Sequence, residues 1–291
     1  MHTDGTEQSP WMSVLASGSS GNCSVLSWTE GARRAAALID LGLSPRRTRN
    51  SLASLGLSLD DISFVLLTHL DSDHFHSGWL RKGRVPGPLW MHRRHVGRAS
   101  REGIATHHTE VFDEGFREHG LAASVQMASH DELGVATFRI GFTQHPGQLG
   151  FATDVGRVTP GLVDHLRRVD VLAIESNYCP RLELASDRPE FLKRRIMGGS
   201  GHISNEESAS AARAIGPREH LVLLHLSRQC NSPSIALGHH AGIGCPITVS
   251  THAEPTMPIR ILGTGTAPLS PPRVETRVGK QWQLFPAGQH A

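Results

Sequence analysis

A chain of 291 residues with 38% hydrophobic and 19% charged residues is long enough to bury a large core and too apolar to remain disordered. A formal net charge of +2 does not by itself argue for a polyanionic partner, although 19 histidines make the charge sensitive to mildly acidic pH. No apolar run is long enough to span a bilayer and the N-terminus is polar. The four cysteines, Cys23, Cys179, Cys230 and Cys245, include no C-x-x-C pair, so reduced thiols, no membrane and a cytoplasmic location are expected.

Residues 1–11 read as a flexible leader. A strand over 13–16 then meets Ser17-Gly18-Ser19-Ser20-Gly21-Asn22, small residues that permit a tight turn. Such runs serve as plain hairpin turns or leave backbone N–H groups open to an anion. Strands over 23–28 and 36–39 follow, the second running into Asp40-Leu41-Gly42. A helix over 44–55 should carry Arg46, Arg47 and Arg49 on its wet face.

The next segment concentrates the chemistry. Phe64-Val65-Leu66-Leu67 has the branched, apolar character of a buried strand, and Thr68-His69-Leu70-Asp71-Ser72-Asp73-His74 follows directly. Two imidazoles and two carboxylates at one strand end suit a divalent transition metal, zinc above all. The competing reading is a polar turn in which Asp73 caps a helix opening at 73–74.

A short helix over 79–82 ends before Pro86 and Pro88, residues 89–91 form a strand, and 92–101 form a basic helix. Strands over 125–128, 135–142 and 149–152, with a turn over 143–148, make a meander. That topology places His130 and Asp154 at one end of the sheet and His145 at the other. Thr159-Pro160 starts a helix in the favoured cap-then-proline order. Buried strands over 171–174 and 221–224 end at Glu175-Ser176-Asn177 and His225-Leu226-Ser227. Between them lie a helix over 189–196 finishing on Lys193-Arg194-Arg195, a glycine-rich loop through His202, and a capping box at Ser204 and Glu207. A helix near 232–239 and strands over 247–250 and 258–262 close the fold; beyond Gly263 the composition reads as a loose tail.

Strands alternating with helices, with hairpins between, indicate a layered α/β architecture. Each strand-end histidine alone is better explained as a core or capping residue. His69, His130, Asp154 and His225 together, beside Asp71, Asp73 and His74, point to a convergent metal site.

The ordered set Ser17–Asn22, Thr68–His74, Ser129-His130-Asp131, Thr153-Asp154-Val155-Gly156, Glu175-Ser176-Asn177, Leu192-Lys193-Arg194-Arg195-Ile196, Gly201-His202-Ile203-Ser204-Asn205 and His225-Leu226-Ser227 resembles the metallo-β-lactamase fold. The similarity is to its YycJ-like branch, related to the RNase Z and RNase J hydrolases, and covers residues 12–262 as one catalytic domain, with 263–291 as tail. It implies a four-layer αββα sandwich and two divalent metal ions. His69, Asp71 and His130 would hold the first ion and Asp73, His74 and His225 the second, with Asp154 bridging. A hydroxide between the ions would be the nucleophile, with Asp73 and Asp154 beside it, and His202 would protonate the departing alkoxide. Zinc is the expected metal. The family pattern H-x-H-x-D-H carries Asp71 in place of its second histidine, however, which opens manganese or iron, or a depleted first site; His76 is a weaker substitute ligand.

Such a centre suits a phosphodiester, with Ser19, Asn22, Arg194 and Ser204 as substrate contacts and nucleic acid or a small phosphodiester as substrate. No obligate protein partner is evident. The expected function is a metal-dependent hydrolase, preferably a phosphodiesterase or nuclease. The alternatives are a small-molecule hydrolase, for example of thioesters, and a metal-binding module that has lost catalysis through Asp71.

Overall fold

The computed structural model describes residues 9–81, 85–104 and 108–264; the expected leader up to residue 8, the helix end at Lys82 and the tail from 265 onward lie outside the described residues. Among the described residues, fourteen strands form two seven-stranded mixed sheets. The first sheet contains β1 (Trp11–Ala16), β2 (Cys23–Glu30), β3 (Arg33–Ile39), β4 (Ile62–Leu67), β5 (Leu89–His92), β6 (Thr109–Phe112) and β14 (Ile259–Arg260), in the order β14-β1-β2-β3-β4-β5-β6. The second contains β7 (Gly115–Glu118), β8 (Leu121–Ala128), β9 (Val135–Phe142), β10 (His145–Ala152), β11 (Val171–Glu175), β12 (His220–Leu224) and β13 (Ile247–Val249), in the order β13-β12-β11-β10-β9-β8-β7.

Alternation along the strands sorts side chains into three apolar layers. Phe64 and Leu66 of β4, Leu26 and Trp28 of β2, Phe138 and Ile140 of β9, and Val171 and Ala173 of β11 meet between the sheets. Val65 and Leu67 instead face outward, onto Leu52 of α1 (Pro45–Ser54), Trp79 of α2 (Gly78–Arg81) and Ala99 of α3 (Val96–Arg101). Leu172, Ile174, Leu221 and Leu223 face the opposite exterior. There they meet Leu162 of α4 (Pro160–His165), Ala211, Ala212 and Ile215 of α7 (Asn205–Ile215) and Ala236 of α8 (Pro233–His239). The remaining helices, α5 (Pro180–Ala185) and α6 (Glu190–Arg195), lie between β11 and α7. Helix, sheet, sheet and helix make the expected αββα sandwich.

In both sheets one half is antiparallel and the other parallel: β3, β4, β5 and β6 run together, as do β10, β11, β12 and β13. Their carboxyl ends therefore gather polar residues at one rim, the usual ligand-binding edge of α/β sheets. Because β8 and β10 both pair antiparallel with β9, the ends of β8 and β10 also point the same way. The meander thus carries His130 and Asp154 to the same rim.

Several local expectations are corrected. Trp11, assigned to the leader, begins β1 and pairs with Ser27 and Arg260. No helix opens at residues 73–74. Leu41 bridges Phe75, and the Asp73 and His74 carbonyls accept from the amides of Asn22 at 2.7 Å and Leu41 at 2.8 Å, so the backbone there is spent on a neighbouring loop and α2 begins only at Gly78. The basic helix over 92–101 is divided: His92 belongs to β5, Arg93–His95 form a 3-10 turn, and α3 follows. The turn over 143–148 is shorter than expected, since β10 already starts at His145. In the basic run that ends α6, Lys193 is buried, its ammonium donating to the Leu184 carbonyl at 2.9 Å. The strands β6 and β7 carry no apolar run long enough to announce them; they form because Phe112 and Phe116 reach the inter-sheet core.

Gly42 shows how tightly the rim is built. A Cβ there would lie 1.8 Å from the Asp73 carbonyl oxygen and 2.5 Å from the Asn22 amide nitrogen. Gly42→Ala must push the Asp73 turn away from β2, and overpacking of this kind costs about 1–3 kcal/mol. The expected result is a lower urea midpoint with an unchanged m-value; an unaltered midpoint would show that the turn yields freely.

Candidate metal centre

The sequence between β4 and α2 places its polar residues by a tight turn: the His74 and Phe75 amides both donate to the Asp71 carbonyl, at 2.7 and 2.9 Å. His69 and His74 are fully buried at ring centroids 4.1 Å apart, while Asp71 and Asp73 are partly exposed on the open side. His130 leaves the end of β8, Asp154 the end of β10, Glu175 the end of β11 and His225 the end of β12. Asp154 and His225 both adopt left-handed backbone, φ 53° and 55°, which turns the chain sharply off the strand.

These side chains converge. His69, Asp71 and His130 offer one ligand atom each within 4.8 Å of one another, and so do Asp73, His74 and His225. Asp154 groups with His69 and His74, and separately with Glu175, His202 and His225, so it stands between the two sets. Its Oδ2 is 2.9 Å from His74 Nε2 and its Oδ1 is 3.3 Å from His225 Nδ1.

Around them lies a supporting network. His74 Nδ1 is 2.7 Å from Asp40 Oδ2, which leaves Nε2 toward the centre. Thr68 Oγ1 donates to the Asp40 carboxylate at 2.9 Å and lies 3.0 Å from His69 Nδ1. With that hydroxyl proton spent on Asp40, Thr68 can only accept from His69 Nδ1–H, so the neutral ring keeps its lone pair on Nε2. That nitrogen is buried and has no hydrogen-bond partner among the described residues. A buried unpartnered imidazole nitrogen among carboxylates fits a metal ligand and is costly without one.

Burial opposes a proton on His225, but Asp154, Asp73 and Glu175 outweigh it and push the pKa up to about 10. His130 is likewise buried, yet Asp71 and the Gly201 carbonyl bring it to about 9. Burial also disfavours charge on His74, and Asp154 and Asp40 hold it well above the ordinary value. His69 goes the other way, driven well below by burial and by His74. The Asp154 carboxyl stays far below its usual range despite burial, because His225 and His74 flank it. A cavity that favours protons on three of its imidazoles to balance its carboxylates is one in which cations can replace protons.

His202 reaches the centre from the loop after α6. Its Nδ1 is 2.7 Å from Glu175 Oε1 and 3.5 Å from Asp154 Oδ1, and its side chain remains 21% exposed. Asp71 departs from a plain ligand: Oδ1 is 2.8 Å from Arg98 Nη1, while Oδ2 faces His130 Nε2 at 3.5 Å and His69 Nε2 at 3.8 Å. The hydrogen bond from His130 and that from Arg98 keep its carboxyl strongly acidic against the effect of burial.

Among the expected substrate contacts, Ser19 and Arg194 are exposed, whereas Asn22 and Ser204 are buried. The Asn22 side chain accepts from the Gly18 amide at 2.8 Å and lies 2.9 Å from His74 Nε2, and Ser204 caps α7 within its box with Glu207. In the Ser17–Asn22 turn the amides of Ser17, Gly18, Gly21 and Asn22 are already bonded. His76 is engaged by the Gly78 amide at 2.9 Å and joins neither ligand set. Asp40, Glu175 and Arg98 were missed as site residues from sequence. Asp40 and Glu175 repeat the pattern of a polar residue after a buried strand, but nothing local marks Arg98, which meets Asp71 across 27 positions.

Comparisons with known proteins agree with this geometry. The chain is 26% identical over 237 residues to the exodeoxyribonuclease WalJ of Streptococcus pneumoniae, covering 77% of this chain and 84% of that protein. It is 26% identical over 262 residues to the exodeoxyribonuclease YycJ of Bacillus anthracis, covering 86% and 97%. The crystal structure of the metallo-β-lactamase fold protein YhfI from Bacillus subtilis superposes with a TM-score of 0.63 at 14% identity, over 85% of this chain and 99% of that one. The model of the beta-lactamase superfamily domain matches residues 37–226, a span that takes in the end of β3, all of β4 to β12 and every strand-end candidate ligand described above, and the chain belongs to that family.

Proposed function

We propose that the protein is a metal-dependent phosphodiesterase of nucleic acid, with DNA the first substrate to test, acting in the cytoplasm. The observation that carries this is the pair of three-ligand groups with Asp154 between them and His202 at their edge. The names of the curated relatives as exodeoxyribonucleases support the substrate class. Among the described residues no helix is long and apolar enough to cross a membrane.

In this reading His69, Asp71 and His130 would hold one divalent cation and Asp73, His74 and His225 a second, with Asp154 shared. Zinc suits the imidazole-rich set, and the Asp71 carboxylate widens the choice to manganese or iron. When bound, such cations polarise a phosphodiester oxygen and lower the pKa of water. The chain's own groups do the rest. Asp40 fixes the His74 ring, and Thr68 fixes that of His69. Glu175 accepts a hydrogen bond from His202 Nδ1–H, leaving Nε2 to hold and release a proton at the leaving oxygen. Ser19 and Arg194 remain free to meet the substrate, while Asn22 and Ser204 act by holding the loops that border it.

Four outcomes test this. His202→Ala should lower kcat on bis(p-nitrophenyl) phosphate and on oligonucleotides by about 10²–10⁴ with metal content unchanged; undiminished turnover would remove the general-acid role. Asp40→Asn should weaken metal binding by about 10–100-fold in a chelator competition, because the His74 ring loses its anchor. The protons that His225 and His130 carry in the free centre must leave when metal enters. Affinity should therefore rise with pH until about 9 to 10, and calorimetry in buffers of different ionisation enthalpy should register proton release near neutral pH. Hydrolysis of the small diester without cleavage of any DNA or RNA oligonucleotide would overturn the nucleic-acid assignment and leave a small-molecule phosphodiesterase.

A further inference from the structure

The α5–α6 hairpin interrupts the fold between two anchored points of the centre. It leaves β11 at Asn177, whose side-chain amide donates to the His225 carbonyl at 2.7 Å, and it returns through His202 beside Glu175. Its inner side is fixed: Arg188 pairs with buried Glu183 at 2.7 Å, and Lys193 ties α6 to the Leu184 carbonyl. The outer side is different. Phe191 is 69% exposed and Leu184 63%, among the most exposed large apolar side chains described.

Phe191, Arg194 and Arg195 stand at i, i+3 and i+4 of α6, and therefore share one helix face. Arg194, Arg195 and Arg181 are exposed and form no ion pair with another described residue, whereas the acidic neighbour Glu190 is taken by Lys193 at 3.4 Å. After Arg195 the chain makes a wide turn over Ile196–Ser200 that lies directly against the centre. The position of a Cβ on Gly201 is 2.6 Å from the Arg195 carbonyl oxygen, and the Gly201 carbonyl is 3.0 Å from His130 Nδ1. The exposed Arg157 guanidinium abuts the same turn at Gly199. An aromatic face flanked by unpaired cations thus runs outward from the ligand His130.

We infer that the outer face of the α5–α6 hairpin is the docking surface for a single-stranded segment of nucleic acid beyond the scissile phosphate, with a base stacked on Phe191 and phosphates met by Arg157, Arg194 and Arg195. Base stacking tolerates any sequence and needs only one exposed ring in the right place. Arginine suits the phosphates, since its fork matches their oxygens. The low aromatic content of the chain, 5%, makes the exposure of this ring the more informative.

This rests on the phosphodiesterase reading, and the experiment separates the two. Phe191→Ala and the pair Arg157→Ala with Arg195→Ala are compared with the unaltered, metal-loaded protein on a single-stranded oligonucleotide and on bis(p-nitrophenyl) phosphate. Each variant should raise KM for the oligonucleotide by about 5- to 100-fold, the loss expected for one stacked base or for phosphate contacts, while leaving turnover of the small diester unchanged. Phe191→Trp should restore oligonucleotide binding, which a purely structural role would not predict. The arginine pair should also flatten the dependence of KM on salt, and Phe191→Ala should not. Equal KM values in all variants on an oligonucleotide that the parent cleaves would overturn the surface and leave the activity standing. A parent that turns over neither substrate overturns the activity and, with it, the surface. Light scattering that finds dimers lost in Phe191→Ala would assign the face to a second copy of the chain and reject nucleic acid.

Discussion

The carboxylate of Asp154 is the contact through which the two sheets answer to each other. It comes from the second sheet and is buried, and its nearest imidazole is His74, which hangs from the first. His225 closes the other oxygen from β12. A carboxylate taken so far out of water costs several kcal/mol unless it is paired. The sandwich therefore has to bring the ends of β4, β10 and β12 into register. Once it does, the remaining side chains of the centre have little freedom. His69 is held by Thr68 and Thr68 by Asp40, so even the tautomers follow from a short chain of bonds.

Backbone conformation contributes as much as charge. Asp40, Asp154 and His225 each follow a buried strand and each has positive φ, at 64°, 53° and 55°. Side chains other than glycine hold this region at a cost of order 1–3 kcal/mol and need support. Support is present: the Asp40 amide donates to the Leu66 carbonyl at 2.8 Å, and the His225 amide to Ser17 Oγ at 2.8 Å. A sharp turn at a strand end aims the side chain along the rim and not into a sheet face. Repeating that device at several strands is how an otherwise apolar sandwich assembles a polar centre.

Asp71 shows how a departure from the family pattern is accommodated. A carboxylate where a histidine is expected adds a negative charge to a crowded site, and Arg98 from α3 sits on its outer oxygen. The inner oxygen still faces His69 and His130. Arg98 is in turn shared with Glu102 at 2.8 Å. The substitution is therefore local in sequence and compensated at a distance, by a residue with no reason of its own to be noticed.

Most of the architecture is legible in the amino-acid sequence, because it is written in local periodicity. Buried strands such as Val171–Glu175 and His220–Leu224 carry unbroken apolar runs, and α4 and α7 carry their own caps at Thr159 and Ser204. The candidate ligands His69, Asp71, Asp73, His74, His130, Asp154 and His225 can be named because each lies in the turn that ends such an element. Legibility fails where the determining contact is remote. The turn at Asp73 is shaped by Gly42 and Asn22. Lys193 is buried by a carbonyl of the preceding helix, and β6 and β7 exist for the sake of two phenylalanines in the core. By itself the sequence determined the order of layers and the inventory of candidate ligands, since hydrophobic period and strand-end chemistry are properties of neighbouring residues. Only the tertiary structure decided which carboxylate faces which imidazole, which protons they hold and that Arg98 offsets Asp71, because those energies depend on distances between residues far apart along the chain.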